Sequence, residues 1–172
     1  MAEQASNQSQ SPRDALFGRF SEETDAQLIL KTFGELCAEL GLDPSSPQGE
    51  GGFLSFYRDF KASFTSWKAC GLFQLLDERA KQREYQSSVA DGRACAGRRV
   101  LVVGAGPVGL RAAIEAAFLG ARVDVVEKRD SFTRNNSLHL WPFLITDLKN
   151  LGAKKFYGRF CSSTIDHISE FV

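Results

Sequence analysis

The feature that most constrains this chain is the stretch from Arg98 to Asp130, RRVLVVGAGPVGLRAAIEAAFLGARVDVVEKRD. Its VLVVG run is short, apolar and β-branched, the pattern of a parallel strand buried on both faces. The run ends in Gly104, Gly106 and Gly109, spaced G-x-G-x-x-G. A helical pattern follows from Pro107 to Leu119 and stops at Gly120. ARVDVVE then reads as a second strand ending in Glu127, 18 residues after Gly109. The glycine spacing alone is weak evidence. Strand, glycine turn, helix, second strand and terminal acid in this order form the full dinucleotide-binding pattern.

Each part has a physical reason. Gly104 allows the tight turn out of the strand. Gly106 carries no side chain, so a pyrophosphate can approach the backbone. Gly109 lets the helix pack closely on the strand. The helix N-terminus offers N–H groups and a partial positive charge to phosphates. Glu127 can accept hydrogen bonds from both ribose hydroxyls of an adenosine. Its charge would repel a 2′-phosphate, which favours FAD or NAD over NADP. Lys128, Arg129 and Arg134 follow the acid, and an arginine placed there can reach the pyrophosphate as a charge-assisted donor. A solvated basic loop is the alternative for each of them, and a glycine turn that binds nothing is the alternative for the whole motif.

The rest of the chain reads as helices and connectors. Residues 1–20 open with a Ser-, Gln- and Asn-rich stretch and are expected to be disordered. Residues 21–97 read as a helical N-terminal segment. A first helix from Asp25 to Leu40 carries an apolar stripe of Leu28, Ile29, Phe33, Leu36, Cys37 and Leu40. Thr24 with Gln27 fits a capping box, and Gly41 fits the stop. FLSFYRDFKASF and SWKACGLFQLLDERA read as two further helices. Phe53, Phe56, Tyr57 and Phe60 share a face of the former. Trp67, Phe73 and Leu76 support the latter, although Gly71 costs it about 1 kcal/mol relative to alanine. Lys81 to Gly97 reads as a connector. After Glu127, Asp130 to Leu140 is a polar loop. WPFLITDLKNLG is a helix, with Pro142 in its first turn and Leu144, Leu148 and Leu151 along one face.

Charge and cysteine usage exclude other classes. The chain has 21 basic and 21 acidic residues, so its net charge is zero and a bulk-electrostatic nucleic-acid or membrane binder is not indicated. No run approaches the roughly 20 apolar residues of a membrane span. The polar N-terminus lacks a signal-peptide pattern. Cys37, Cys70, Cys95 and Cys161 form no C-x-x-C pair, so they read as reduced cytosolic thiols rather than zinc ligands or a disulfide framework. His139 and His167 read as packed rather than catalytic.

The strings EKRDSF-RNN-LHLWPF, LGAKKFYG-FC and IDHIS, with SWKA and EYQ upstream, resemble the start of the flavin monooxygenase domain of the MICAL family. The resemblance spans about residues 20–169. It implies an α/β fold: a Rossmann-like FAD-binding βαβ unit of the aromatic-hydroxylase flavoprotein type, preceded by the helical segment. Residues 98–172 would be the N-terminal part of that domain, with the sheet incomplete. It implies cytoplasmic, cytoskeleton-associated proteins that oxidise methionines of filamentous actin with FAD, NADPH and O₂, the redox chemistry belonging to the flavin. No catalytic side chain is assigned. The FAD contacts it implies are Gly104, Gly106, Pro107, Val108, Gly109, Glu127, Lys128, Arg129, Arg134, Asn135 and Asn136. Lys154, Lys155 and Arg159 become a candidate basic contact for acidic F-actin.

Three positions depart from the family pattern. Val108 stands where Cys is frequent, Ser137 where Val is usual, and Asp124 where an apolar residue is usual. A charge inside a parallel strand is costly unless it reaches solvent or a partner. The family domain runs for several hundred residues. The chain is therefore expected to be a fragment carrying the ADP-binding half of the FAD site, with the NADPH site elsewhere. Alone it would bind FAD weakly and not turn over, its two strands exposing apolar faces and edges. The alternatives are a non-catalytic fragment that binds actin or another partner, and an NAD-binding dehydrogenase fragment.

Overall fold

The computed structural model of the chain describes residues 11–44, 53–86, 93–131, 137–153 and 167–169. Four helices come first: α1 (Pro12–Glu22), α2 (Ala26–Leu40), α3 (Phe53–Ala62) and α4 (Trp67–Ala80). A 3₁₀ turn at Arg83–Tyr85 leads into β1 (Arg99–Val103), α5 (Pro107–Phe118) and β2 (Arg122–Val126). Then come β3 (Ser137–His139), α6 (Pro142–Asn150) and β4 (His167–Ser169).

Helix α1 corrects the expectation of disorder through residue 20. Composition gave no reason for order there; tertiary contacts supply it. Phe17 is buried among the rings of the other helices. Asp14 is buried too, and its carboxylate accepts from the Ser66 N–H at 2.9 Å, the Thr65 N–H at 3.2 Å and the Thr65 hydroxyl at 3.0 Å. Burial pushes this carboxyl up, but the bonds from Ser66 and Thr65 outweigh it and hold the group below the usual carboxylate range. Asp14 thereby fixes the entry to α4, whose own cap is the Ser66 hydroxyl, accepting from the Ala69 N–H.

Helix α2 begins one residue later than read, and its cap is Asp25 rather than Thr24. The Asp25 carboxylate accepts from the Leu28 N–H at 3.0 Å. Gly41 ends the helix at φ 65°. The core of this half is Phe17, Leu36, Phe60, Phe64, Ala69 and Phe73. Ring centroids lie 4.7 Å apart for Phe17–Phe64 and 5.0 Å for Phe60–Phe64, within the favourable range for offset or edge contacts. Phe56, Tyr57 and Leu76 pack around it. Trp67 does not: it starts α4 on the outer side and is 81% exposed.

Strands β1 and β2 pair in parallel, with Val100 opposite Val123 and Val102 opposite Val125. Helix α5 crosses between them and covers one face, the one bearing Val102. The VLVVG run is suited to burial on both faces, but here only one is covered. Leu101 and Val103 alternate to the other face and are 63% and 81% exposed, because no second layer lies on that face among the described residues. Asp124 sits on this open face. It accepts from an Arg99 guanidinium N–H at 3.1 Å and remains in contact with solvent, which answers the cost of a charge in the strand. Strands β3 and β4 form a separate antiparallel pair with His139 opposite His167, a pairing the polar-loop reading missed.

The two halves are joined. The Gln27 side chain donates to the Asp130 carbonyl at 3.0 Å. Tyr85 is buried against Phe118 and bridges α4 to α5. Among the described residues no helix is long and apolar enough to cross a membrane.

Candidate dinucleotide site

The site is built where β1 turns into α5. Gly104 takes φ 107°, a conformation that side-chain-bearing residues rarely adopt. Its N–H donates to the Val126 carbonyl at 2.7 Å, which ties the turn to the end of β2. A Cβ placed on Gly109 would lie 2.1 Å from the Gly104 carbonyl oxygen and 3.3 Å from a Val102 methyl. No side chain fits there, so the helix lies directly on the turn. Gly106 is the N-cap of α5 and Pro107 its first residue. No side chain caps this end, and a Cβ on Gly106 would meet nothing within 4 Å. The backbone at the helix start is therefore open to an approaching anion. Val108 projects outward, so its replacement of the family's frequent Cys disturbs no packing.

Glu127 closes the other side. One carboxylate oxygen accepts from the Ala105 N–H at 3.0 Å; the other accepts from the Arg129 N–H at 3.0 Å and Nε at 3.2 Å. The bond from Ala105 and then those from Arg129 pull its pKa down to about 2. The group is a carboxylate at every physiological pH. Three of its four acceptor sites are taken, and the oxygen bonded to Ala105 keeps one for a hydroxyl donor. A cleft of about 440 Å³ is lined by Val103, Gly104, Val126, Glu127, Lys128 and Arg129. The cleft and the start of α5 thus offer a carboxylate acceptor at one end and unencumbered backbone N–H groups at the other.

The structure thus brings together the Gly104–Gly109 turn, Glu127, Lys128 and Arg129. Arg134, Asn135 and Asn136 lie outside the described residues, as do Lys154, Lys155 and Arg159. Sequence reasoning missed the Ala105–Glu127 bond, which depends on the depth of the turn. It also missed a set of ionic contacts behind α5. Arg111 and Glu115, four residues apart on one helix, signalled part of it; Arg79 and Asp147 gave no local sign.

Residues 62–154 match the family described as pyridine nucleotide-disulphide oxidoreductase. The chain belongs to this family. The matched stretch takes in α4, the 3₁₀ turn, the β1–α5–β2 unit and α6. Among curated relatives, the F-actin monooxygenase mical2b of Danio rerio is 53% identical over 154 residues, 90% of this chain and 9% of the relative. The F-actin monooxygenase MICAL1 of Bos taurus is 53% identical over 165 residues, 96% of this chain and 14% of the relative. The F-actin monooxygenase Mical of Drosophila melanogaster is 53% identical over 154 residues, 90% of this chain and 3% of the relative. The resemblance read from the motif strings is borne out. The chain spans a small part of the length of these relatives.

Proposed function

We propose that this chain is the ADP-binding part of a flavin-dependent monooxygenase that oxidises protein methionine, with FAD as cofactor, NADPH as reductant and filamentous actin as substrate. The observation that carries the reading is the glycine turn and the ionised Glu127 facing one cleft, in a chain about half identical to F-actin monooxygenases. The relative mical3a of Danio rerio is named a protein-methionine sulfoxide oxidase, which supports the substrate group.

When bound, FAD supplies the redox chemistry; the chain binds and orients it. The backbone at Gly104, Gly106 and the α5 N-terminus takes the pyrophosphate. Glu127 accepts from the ribose hydroxyls. Arg129 and Lys128 place positive charge beside the phosphates, with Arg134, Asn135 and Asn136 serving the cofactor by family resemblance. The permanent charge on Glu127 disfavours a 2′-phosphate, so this site takes FAD and the NADPH site lies elsewhere in the protein. Lys154, Lys155 and Arg159 are the proposed basic contact to actin, which would place the protein at the cytoskeleton.

Titration of FAD with the purified chain, followed by flavin fluorescence, tests the reading. Weak saturable binding is expected, reduced about tenfold in Glu127→Ala through loss of a charged hydrogen-bond acceptor. Equal affinity in the variant would sink the assignment of Glu127. NADPH consumption above that control would show that the chain turns over by itself.

A further inference from the structure

Helix α5 carries the phosphate-binding end, and a binding constellation must be held to within about 0.5 Å to work. On its inner side α5 rests on two strands through Gly109. Its other side bears Arg111 and Glu115, which a free strand–helix–strand unit would leave in water. Here they are enclosed. Arg111 forks onto Asp147 of α6, with Nε to Oδ2 at 2.7 Å and Nη2 to Oδ1 at 3.3 Å. It also donates to Glu115 at 2.7 Å. Arg79 of α4 donates to the same Asp147 at 2.7 Å and to the Tyr85 hydroxyl at 3.0 Å, and pairs with Glu115 at 3.5 Å. The Tyr85 hydroxyl donates to Glu115 at 2.6 Å.

Two cations, two carboxylates and one phenol thus saturate one another. Among the described residues no buried polar side-chain atom lacks a partner. The Arg79 side chain is 13% exposed, the most enclosed of the four charged groups. It is also the one that brings the helical half of the chain into the network. Bonds from Arg111 and then Arg79 hold the Asp147 carboxyl below its usual range, so the network is ionised at neutral pH.

We infer that Arg79 is a positioning residue for the dinucleotide site: from outside the β1–α5–β2 unit, it fixes α5 through Asp147, Glu115 and Tyr85 so that the helix start meets the pyrophosphate. Removing it leaves two carboxylates to one arginine and takes away the donor to the Tyr85 hydroxyl, which keeps only its bond to Glu115. Helix α5 then keeps Arg111 on Asp147 and Tyr85 on Glu115, but loses its direct charged link to α4. The inference rests on the proposed dinucleotide binding and adds that the helical half is a working part of that site.

Calorimetric titration of the whole chain with ADP tests it, with thermal unfolding measured alongside. Arg79→Gln is expected to weaken ADP binding roughly tenfold, the range for residues that couple a distant element to a site. Arg79→Lys, which keeps the charge on Asp147, should recover most of it. The control is Lys61→Gln, which breaks a 2.7 Å ion pair to Asp77 inside the helical half and should lower the midpoint while leaving ADP affinity unchanged. Should Arg79→Gln fail to fold, Tyr85→Phe serves instead: it keeps the ring on Phe118, at 5.3 Å between centroids, and removes only the bridging hydroxyl. A several-fold loss of affinity in Tyr85→Phe supports the inference. Wild-type ADP affinity in Arg79→Gln, or in Tyr85→Phe where that variant replaces it, overturns the inference and leaves the dinucleotide reading standing. Absence of ADP binding by the wild-type chain overturns both.

Discussion

The two halves of this chain carry similar apolar sequence and use it in opposite ways. In the helical half, Phe17, Phe60, Phe64 and Phe73 turn inward from three helices and the loop before α4 and close on one another. In the strand–helix–strand half, Leu101 and Val103 are as apolar but stand on an open face. The difference lies in layer number. Four helices can bury a common stripe among themselves. A two-stranded sheet with one helix has one covered face and one bare one, and strands at that count are marginal alone. The first half is organised by its own packing. The second is organised by local chemistry, the glycine turn and the Glu127 bonds, and by what the first half lends through Arg79 and Tyr85.

The largest effect should come from emptying the packed half. Phe73→Ala removes a buried ring and is expected to cost about 3–5 kcal/mol. Leu101→Ala on the bare face should stay within about 0.5 kcal/mol. Urea unfolding followed by far-ultraviolet circular dichroism gives both numbers. Comparable losses would break the contrast, because they would mean that Leu101 is buried in the protein in solution.

The same contrast explains what could be read from sequence. The second half was legible because its determinants are local. The φ of Gly104 and the fit of Gly109 follow from the G-x-G-x-x-G spacing, and Glu127 falls at the end of β2 as the pattern requires. Helices α2 to α4 were legible from period and punctuation. What escaped depends on residues distant in sequence. Asp14 orders α1 through Thr65 and Ser66, and no propensity in SPRDALF announces it. Trp67 looked like core by residue type, yet its place at the first turn of α4 puts it outside. The composition of β1 reports a strand suited to burial on both faces, and the count of two strands and one helix tells that a face stays bare. Tyr85 was assigned to a connector because the carboxylate and arginine that bury it lie on other elements.

An intermediate effect is expected at the joint between turn and helix. Gly109→Ala places a methyl group against the Gly104 carbonyl, and backbone has to move. Overpacking of this kind costs about 1–3 kcal/mol. Because the strain falls on the turn itself, ADP affinity should fall further than stability does. A calorimetric titration read beside the thermal midpoint separates the two. A drop in midpoint with ADP affinity intact would mean that the turn relaxes without disturbing the helix start, and that local chemistry does not decide where the helix start sits.

The smallest effect on stability should come from Asp124→Val on the bare face. The variant removes an exposed ion pair to Arg99, worth about 0.2–1 kcal/mol. It installs a β-branched residue in a strand, which returns a similar amount. The thermal midpoint should move by no more than about 2–4 °C in a chain of this size. Self-association is another matter. Asp124 is opposite Leu101 and shares its face with Val103 and Val126. Its charge is the acidic interruption in an otherwise apolar and basic surface, and a charge on a bare sheet face is costly to bury against a copy of the chain. Asp124→Val should therefore shift the sedimentation profile toward larger species at concentrations where the wild type is unchanged. If the profile stays the same, the bare face is already covered in solution, and the comparison between a packed and an unpacked half would have to be redrawn at that surface.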